Sequence, residues 1–493
     1  MRVKTEAGEL VGREEGVAIF RGIPYAAPPV GPLRLRPPEP HPGWRGCRDA
    51  TRSAAAPPQR SDPLSDALGL LHGCPVDEDC LLLNVFTPAA DDAGRPVLVW
   101  LPGGAFMGGA ASAPLYDGRH LAARGDVVVV TVGYRVGALG FSAREDPFAS
   151  NLGLQDQLAA LRWVRRNVAA FGGDPGRVTV FGESAGAGSL LALAGMPAAE
   201  GLFRRAIVQS AAPRGVLGWE EALERTARVE ARLAPHTLAD AGVEALLDAQ
   251  YACAADGFHR TGMFYAPVLD GRTLTVPPWE AFARGWARDV DLLIGTTRDE
   301  MRLYTTGAPD SDDVVAMIVA AQLAGSPDDR DARARELVEA FRAARRERGE
   351  PTTPCDLNHA LQTELSLRLD ATRLAEARGP NTFMYLFGWE SPWQDGAVRA
   401  CHAVDLPFVF GTLDAPGMSA FAGSGEAAEA LSGKVMDAWC AFARDGSPAH
   451  PTLGDWPAYD RERRATFELG ARCVLREAPL EAERAAMDRL RGE

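Results

Sequence analysis

A serine between two glycines stands where a predicted strand passes into a predicted helix. The pentapeptide GESAG at residues 182–186 follows the apolar run at 178–181 and precedes a stretch rich in alanine and leucine. Such a tight turn leaves almost no room for side chains at the flanking positions, so the serine hydroxyl projects at the carboxyl end of the strand. N–H groups at the start of the helix then face the charge that develops there. This pattern predicts that Ser184 is a nucleophile.

The base that would activate this hydroxyl must come from elsewhere in the chain. A serine hydroxyl attacks well only when a base takes its proton, and that base needs an acid to orient it. The histidines that follow Ser184 are His236, His259, His359, His402 and His450. His402 follows a predicted strand at 382–387, whereas His236 and His359 lie in predicted helical stretches. This context favours His402 as the base.

Two neighbouring acids compete for the role of orienting this histidine. In hydrolases with a strand, a serine turn and a helix, the chain order is serine, acid, histidine. Asp299 and Glu300 both follow the predicted strand at 292–295 and lie between Ser184 and His402 in the sequence. Their side chains point in different directions, and spacing alone does not choose between them.

A glycine pair near residue 104 is a candidate source of N–H donors for an oxyanion. Attack on a carbonyl produces this anion, which needs donors already in place. The segment LPGGAF at 101–106 leaves an earlier predicted strand with two glycines, where a backbone can approach a substrate closely. Alone, the pair would be an ordinary turn in a chain with 51 glycines. Beside the serine turn it predicts a donor loop, with the N–H of Ala185 as a third donor.

Compact apolar runs alternate with helical patterns after an irregular amino-terminal region rich in proline and glycine. The runs lie at residues 97–101, 127–132, 178–181, 205–209, 292–295 and 382–387. Their β-branched and nearly continuous apolar character is typical of parallel strands buried on both faces. Helical patterns at about 219–256 and 310–378 interrupt the series and predict caps outside the sheet. We expect an α/β fold with a mostly parallel central sheet flanked by helices, forming one catalytic domain over residues 1–493.

The composition is that of an ordinary soluble protein, with 46% apolar and 24% charged residues. Acidic residues exceed basic ones by 66 to 52, and the net charge of −14 disfavours nucleic acid and anionic membranes as partners. The apolar runs are too short to span a bilayer and the first residues lack a secretory signal, so we expect a cytoplasmic location. The eight cysteines form no CxxC pair, and we expect no zinc or other metal.

Seven blocks of sequence occur in a characteristic order along nearly the whole chain. They are FRGIPYA at 20–26, EDCLLLNV at 78–85, NLGLQDQ at 151–157, FGGDP at 171–175, FGESAG at 181–186, GTTRDE at 295–300 and HAVDLPFVFG at 402–411. In these blocks the chain resembles the type-B carboxylesterase family of the α/β-hydrolase fold, which contains bacterial para-nitrobenzyl esterases and animal cholinesterases. The resemblance implies hydrolysis of carboxylic esters through an acyl-enzyme, without a cofactor.

The resemblance also implies roles for individual residues. The second residue of the acidic pair is catalytic in this family, which implies Glu300 as the acid and His402 as the base. The other implied roles are an oxyanion hole at Gly104, Ala105 and Ala185, support of Glu300 by Ser210, and a structural ion pair between Arg34 and Glu78.

The chain departs from the family pattern at some positions. Pro102 precedes the two glycines where a histidine or an aromatic residue is usual, and because proline fixes φ and lacks an N–H, we expect a stiffer loop. Cys80 is disulfide-bonded in secreted relatives, but no cysteine stands at the matching upstream place, so we expect a reduced thiol. Met263, Phe264 and Phe408 are candidates to line an apolar acyl or alcohol pocket, with the plain protein core as the alternative.

We therefore expect a serine carboxylesterase that acts on a small, uncharged ester, as a monomer or a homodimer. A catalytically silent scaffold or adhesion relative of the same fold is one alternative, although such relatives typically lose the serine that this chain keeps. An amidase or lactonase is another, because it would use the same side chains and differ only in the leaving group.

Overall fold

The structure is a computed structural model that describes residues 1–61, 63–145, 150–211, 215–256, 263–285, 287–304 and 309–490. His259, one of the histidines considered above, lies outside the described residues.

The apolar runs of the sequence form strands of one large sheet, and two smaller sheets contain five further strands of the described chain. The strands are β1 (Arg2–Thr5), β2 (Gly8–Val11), β3 (Arg13–Glu14), β4 (Ala18–Pro24), β5 (Cys47–Asp49), β6 (Leu82–Thr87), β7 (Arg95–Leu101), β8 (Val128–Val132), β9 (Gly173–Glu183), β10 (Arg205–Gln209), β11 (Leu217–Gly218), β12 (Val268–Leu269), β13 (Asp291–Thr297), β14 (Thr382–Phe387), β15 (Ala465–Leu469) and β16 (Val474–Glu477). In the described part of the chain, eleven of them pair in the order β16-β15-β14-β13-β10-β9-β7-β8-β6-β4-β3.

The middle of this sheet is parallel, as the sequence predicts. Neighbouring strands from β8 through β7, β9, β10, β13 and β14 to β15 all run in the same direction. Antiparallel strands β6, β4 and β3 extend one edge, and β16 closes the other. All six predicted strands are present, and the predicted α/β fold is confirmed. Because parallel strands end on the same edge, the segments that follow β7, β9, β13 and β14 can converge there.

Helices connect the strands and cover the sheet. They are α1 (Pro63–Ala67), α2 (Arg119–Gly125), α3 (Gly137–Phe141), α4 (Leu152–Asn167), α5 (Ala185–Ala194), α6 (Trp219–Leu233), α7 (Val243–Ala255), α8 (Pro278–Ala283), α9 (Asp312–Ala320), α10 (Pro327–Glu347), α11 (Pro354–Thr363), α12 (Leu369–Arg378), α13 (Leu406–Phe410), α14 (Met418–Ala422), α15 (Glu426–Asp445) and α16 (Glu481–Leu490). The two predicted helical stretches contain α6 and α7, and α9 to α12, respectively. Their role as caps on one catalytic domain stays a prediction.

Strand β7 shows how the core holds the sheet in place. Val97 and Val99 belong to one buried apolar cluster, whereas Leu98 and Trp100 belong to another. Successive side chains of a strand point to opposite faces, so β7 is buried on both sides. The Trp100 ring packs against Phe181 of β9, with ring centroids 4.8 Å apart. This packing fixes the carboxyl ends of β7 and β9 relative to each other.

Within the described ranges, no helix combines the length and the apolar character needed to cross a bilayer.

Candidate active site

Ser184 occupies a strained turn between β9 and α5. Its backbone has φ of +53° and ψ of −121°, a conformation that residues with a side chain rarely adopt. Two hydrogen bonds hold it there: the Ser184 N–H donates to the Gln209 carbonyl at 2.9 Å, and the Ser184 carbonyl accepts from the Gly188 N–H at 2.8 Å. The turn places Ser184, partly exposed, at the carboxyl edge of the sheet.

The two glycines around Ser184 are needed because α5 approaches the strands closely. A Cβ atom on Gly186 would lie 2.0 Å from the Leu101 carbonyl oxygen. On Gly182 it would lie 2.7 Å from the Gly186 carbonyl carbon. Both distances are far shorter than any ordinary van der Waals contact, so a side chain at either position would displace backbone.

His402 and Glu300 form a close buried pair. His402 Nδ1 lies 2.6 Å from Glu300 Oε2, and the Thr297 N–H donates to Glu300 Oε1 at 2.7 Å. Burial opposes ionisation of Glu300, but the neighbouring His402 outweighs it and lowers the pKa of this carboxyl. The Ser210 hydroxyl contributes in the same direction, although it makes no well-aligned hydrogen bond within the described residues. Glu300 therefore remains an anion that can orient the imidazole.

Asp299, the competing acid, faces a different environment. Its carboxylate pairs with Arg298 at 3.3 Å and with Arg302 at 3.5 Å. These two cations hold Asp299 in an ion-pair network. The structure thus brings Glu300 to His402 and gives Asp299 other partners, a choice that spacing in the sequence left open.

A second carboxylate approaches the other nitrogen of the imidazole. Glu183 Oε1 lies 2.9 Å from His402 Nε2, without the alignment of a hydrogen bond. Burial disfavours charge on His402, but Glu183, Tyr304 and Glu300 outweigh it and raise the pKa of the imidazole well above its ordinary value. Among the described residues, Nε2 has no hydrogen-bond partner, Ser184 included. Catalytic hydrogen bonds are often long or misaligned without substrate and tighten when it binds.

A third buried carboxyl, Asp405, completes the polar surroundings of Glu183. Gln209 Nε2 donates to Asp405 Oδ2 at 2.8 Å, and Trp439 Nε1 donates to the Gln209 side-chain oxygen at 3.2 Å. Burial, followed by the charge of Glu183, raises the pKa of Asp405 to about 7. This side of the site is therefore rich in negative potential.

The loop after β7 lies against the serine turn. A Cβ on Gly103 would be 3.3 Å from the Ser184 Cβ and 3.0 Å from Glu183 Oε2. Within the described residues, the N–H groups of Gly104, Ala105 and Ala185 donate to no protein acceptor. The structure therefore places a loop with free N–H groups beside the predicted nucleophile.

The predicted pocket residues have different environments. Phe408 is fully buried, with ring centroids 5.3 Å from Phe387 and 5.4 Å from Trp389, which favours the alternative of a core residue; a pocket role stays a prediction. Phe264 is also buried, whereas Met263 is only partly so.

The structure also shows the surroundings of Arg34, Glu78 and Cys80. Arg34 Nε lies 3.0 Å from Glu78 Oε2, in the arrangement of an ion pair. Cys80 is a fully buried free thiol, and burial raises its pKa. In the parts of the chain with a described structure, no group of three or more His, Cys, Asp or Glu side chains could hold a metal ion.

Three residues near the imidazole were not predicted from the sequence, namely Glu183, Tyr304 and Asp405, which comes three residues after His402. Glu183 lies inside the GESAG motif, and its position next to Ser184 in the sequence could have indicated that it belongs to the site. Tyr304, which is about half exposed, has its ring centroid 5.4 Å from that of His402. It comes four residues after Glu300, a spacing that carried no recognisable pattern.

Comparison with known proteins places this arrangement in a family. Residues 1–486 match the profile described as the carboxylesterase family. The chain is 39% identical to the para-nitrobenzyl esterase of Bacillus subtilis (strain 168), covering 100% of this chain and 99% of that protein. It is 36% identical to the phenmedipham hydrolase of Pseudarthrobacter oxydans, covering 94% of each. It is also 34% identical to the human cocaine esterase, covering 92% of this chain and 83% of that protein.

Solved structures support the same conclusion. A PNB esterase structure superposes with a TM-score of 0.87 at 38% identity, covering 99% of both chains. A carboxylesterase from Geobacillus stearothermophilus superposes with a TM-score of 0.84 at 37% identity, covering 98% of this chain and 99% of that one. The chain belongs to the carboxylesterase family and is a serine carboxylesterase with the α/β-hydrolase fold.

Proposed function

We propose that Ser184, His402 and Glu300 are the catalytic triad of this esterase. Ser184 attacks the ester carbonyl while His402 Nε2 takes its proton, and Glu300 holds the imidazole through Nδ1 and stabilises the imidazolium. The observation that carries this proposal is the 2.6 Å contact between His402 Nδ1 and Glu300 Oε2 at the edge where Ser184 projects.

The second half of the reaction uses the same groups. His402 returns the proton to the departing alcohol, which leaves an acyl group on Ser184. Water then attacks the acyl carbonyl, with His402 again as the base, and the acid is released. In both steps we propose that the N–H groups of Gly104, Ala105 and Ala185 bind the oxyanion, because these donors have no other acceptor among the described residues.

The buried carboxyls disfavour a negatively charged substrate. Glu183, Glu300 and Asp405 are all buried near His402, and their negative potential would repel an ester that carries a carboxylate. Leu303 stands where cholinesterases would need an aromatic residue to hold a quaternary ammonium, which argues against choline esters. We propose neutral carboxylic esters, a class consistent with the name of the para-nitrobenzyl esterase relative.

The first test replaces the nucleophile. Ser184→Ala should lower kcat on a short-chain p-nitrophenyl ester by roughly 10⁴- to 10⁶-fold. An organophosphate should label one residue of the wild-type enzyme, Ser184, as read by mass spectrometry. A variant that keeps its turnover, or a label on another serine, would overturn the assignment.

The second test uses the two neighbouring acids as a matched pair. Glu300→Gln should lower kcat by about 10³- to 10⁴-fold, because the imidazole loses the anion that holds its tautomer. Asp299→Asn should change kcat little, since Asp299 pairs with arginines. The reverse result would mean that Asp299 is the acid.

The alternative activities, amidase and lactonase, can be distinguished from ester hydrolysis by the choice of substrate. Matched esters, amides and lactones with the same acyl group would show whether the enzyme also acts as an amidase or lactonase. A catalytically silent scaffold is disfavoured because all three triad side chains are present. The cytoplasmic location and the oligomeric state stay predictions of the sequence.

A further inference from the structure

In the proposed oxyanion loop, residues 102–109, one peptide group is held by hydrogen bonds within the loop itself. The Gly104 carbonyl accepts hydrogen bonds from the N–H groups of Met107 and Gly108, each at 2.9 Å. A peptide group is planar, with its N–H and C=O on opposite sides. The direction of the Ala105 N–H, which shares a peptide group with this carbonyl, is therefore fixed by these bonds.

A buried glutamine from the amino-terminal region forms hydrogen bonds with the carboxyl-terminal end of the loop. The Gly109 N–H donates to Gln59 Oε1 at 2.8 Å, and Gln59 Nε2 donates back to the Gly109 carbonyl at 2.9 Å. The same Nε2 also donates to the Pro57 carbonyl at 3.0 Å, which anchors the side chain to its own segment. One side-chain amide therefore satisfies both backbone groups of Gly109 and fixes its orientation.

Gly109 transmits this restraint to the donor peptide. It has φ of +121°, and a Cβ on it would lie 2.4 Å from the Gly103 carbonyl oxygen. The main chain at Gly109 thus packs directly on that carbonyl, which shares a peptide group with the Gly104 N–H. Movement of Gly109 would let this peptide rotate and turn the donor away from the substrate.

A buried tyrosine holds the near end of the loop. The Tyr134 hydroxyl donates to the Pro102 carbonyl at 2.5 Å. Burial raises the pKa of Tyr134, so the hydroxyl stays protonated and remains a donor. The proline ring also fixes φ at Pro102, so the ring and this hydrogen bond together restrict the backbone conformation at the start of the loop.

We propose that Gln59 and Tyr134 are positioning residues that hold the two ends of the loop and keep the N–H groups of Gly104 and Ala105 aimed at the substrate carbonyl. The inference rests on the proposed function, because it assumes that these donors bind the oxyanion. N–H donors that already point at the oxyanion position before the reaction stabilise the transition state without a cost for reorganisation. A misplacement of about 1 Å costs on the order of 100-fold in rate.

The test removes each restraint without a large change of volume. Gln59→Met keeps the length of the side chain but loses the amide, and Tyr134→Phe loses only the hydroxyl. In each variant kcat on p-nitrophenyl acetate should fall about 10- to 100-fold while KM changes little. Affinity for a trifluoromethyl ketone, whose adduct with the serine carries an oxyanion, should fall in parallel, whereas affinity for the matching methyl ketone should not.

Asn151 offers a matched control in the same protein. Its side-chain amide makes the same paired bonds to Val268, accepting from the N–H at 2.7 Å and donating to the carbonyl at 2.8 Å. Asn151→Ala should lower the melting temperature while leaving kcat and the ratio of the two ketone affinities as in the wild type.

Two results would overturn the inference. In the first, Gln59→Met and Tyr134→Phe behave like Asn151→Ala, with lower stability but an unchanged kcat and ketone ratio; their role would then be structural. If Gln59→Met does not fold, Tyr134→Phe decides alone by the same criterion. In the second, the wild-type enzyme neither hydrolyses the ester nor binds the trifluoromethyl ketone, which would overturn the proposed function and this inference with it.

Discussion

Replacement of Gly186 by alanine should inactivate the enzyme, because the new methyl group would collide with the main chain of β7. The added Cβ would lie 2.0 Å from the Leu101 carbonyl oxygen and 2.9 Å from the Pro102 carbonyl oxygen. Helix α5 or the end of β7 would have to retreat by about 1.5 Å to restore an ordinary contact. Both atoms belong to backbone, so no side-chain rotation relieves the overlap.

The size of this displacement sets the expected loss of activity. Ser184 directly precedes α5, and Pro102 leads into the proposed oxyanion loop, so the collision separates the nucleophile from its donors. A misplacement of about 1 Å costs on the order of 100-fold, and we expect kcat to fall by at least that factor. Overpacking of this kind also costs about 1–3 kcal/mol in the free energy of unfolding.

Gly188, two residues further along α5, is the matched control. A Cβ there would lie 3.4 Å from Phe106 Cζ, an ordinary contact, and the Gly188 N–H would still donate to the Ser184 carbonyl. Alanine favours a helix interior by about 1 kcal/mol over glycine, so Gly188→Ala should fold at least as well as the wild type.

The assay for this pair combines kcat on a p-nitrophenyl ester, titration of active sites with an organophosphate, and the melting temperature. If Gly186→Ala were folded and kept kcat within a few-fold of Gly188→Ala, the argument that close approach of α5 positions Ser184 would be refuted.

Further predictions concern pH and stability. His402 must be neutral to accept a proton, and its pKa is raised, so kcat/KM should fall with decreasing pH at a midpoint above 6.5. Glu183→Gln should move this midpoint to lower pH, because it removes a negative charge beside the imidazole. An unmoved pH–rate profile would contradict the role of Glu183. Arg135→Met should cost about 3–5 kcal/mol in urea denaturation, because it strips the buried Asp156 of its ion-pair partner at 2.7 Å. The double variant Arg135→Met/Asp156→Leu should recover most of this loss; failure to recover would mean that the pair itself stabilises the fold.

Local patterns predicted the parts of the site that one segment builds. Gly182, Ser184 and Gly186 lie within one pentapeptide between a predicted strand and a predicted helix, so this local motif predicted the nucleophile. The central strands were predictable because burial on both faces demands continuous apolar runs. His402 was identified by its place after a strand, since the carboxyl ends of parallel strands share one edge.

Other features depended on how distant segments meet. Asp299 and Glu300 are adjacent, and only the folded position of His402, 102 residues beyond Glu300, shows which carboxylate meets the imidazole. Phe408 carries the same apolar side chain whether it lines a pocket or the core, and its neighbours Phe387 and Trp389 come from a separate strand and the loop after it.

The amino-acid sequence by itself determined the α/β architecture, the serine turn and the family, because these follow from periodicity, glycine placement and ordered blocks of residues. Only the tertiary structure decided that Glu183 faces His402 Nε2 and that Gln59 forms hydrogen bonds with Gly109, fifty residues away along the chain. Contacts of this kind depend on side-chain direction and on backbone approach across separate segments, and no spacing along the chain encodes either of them.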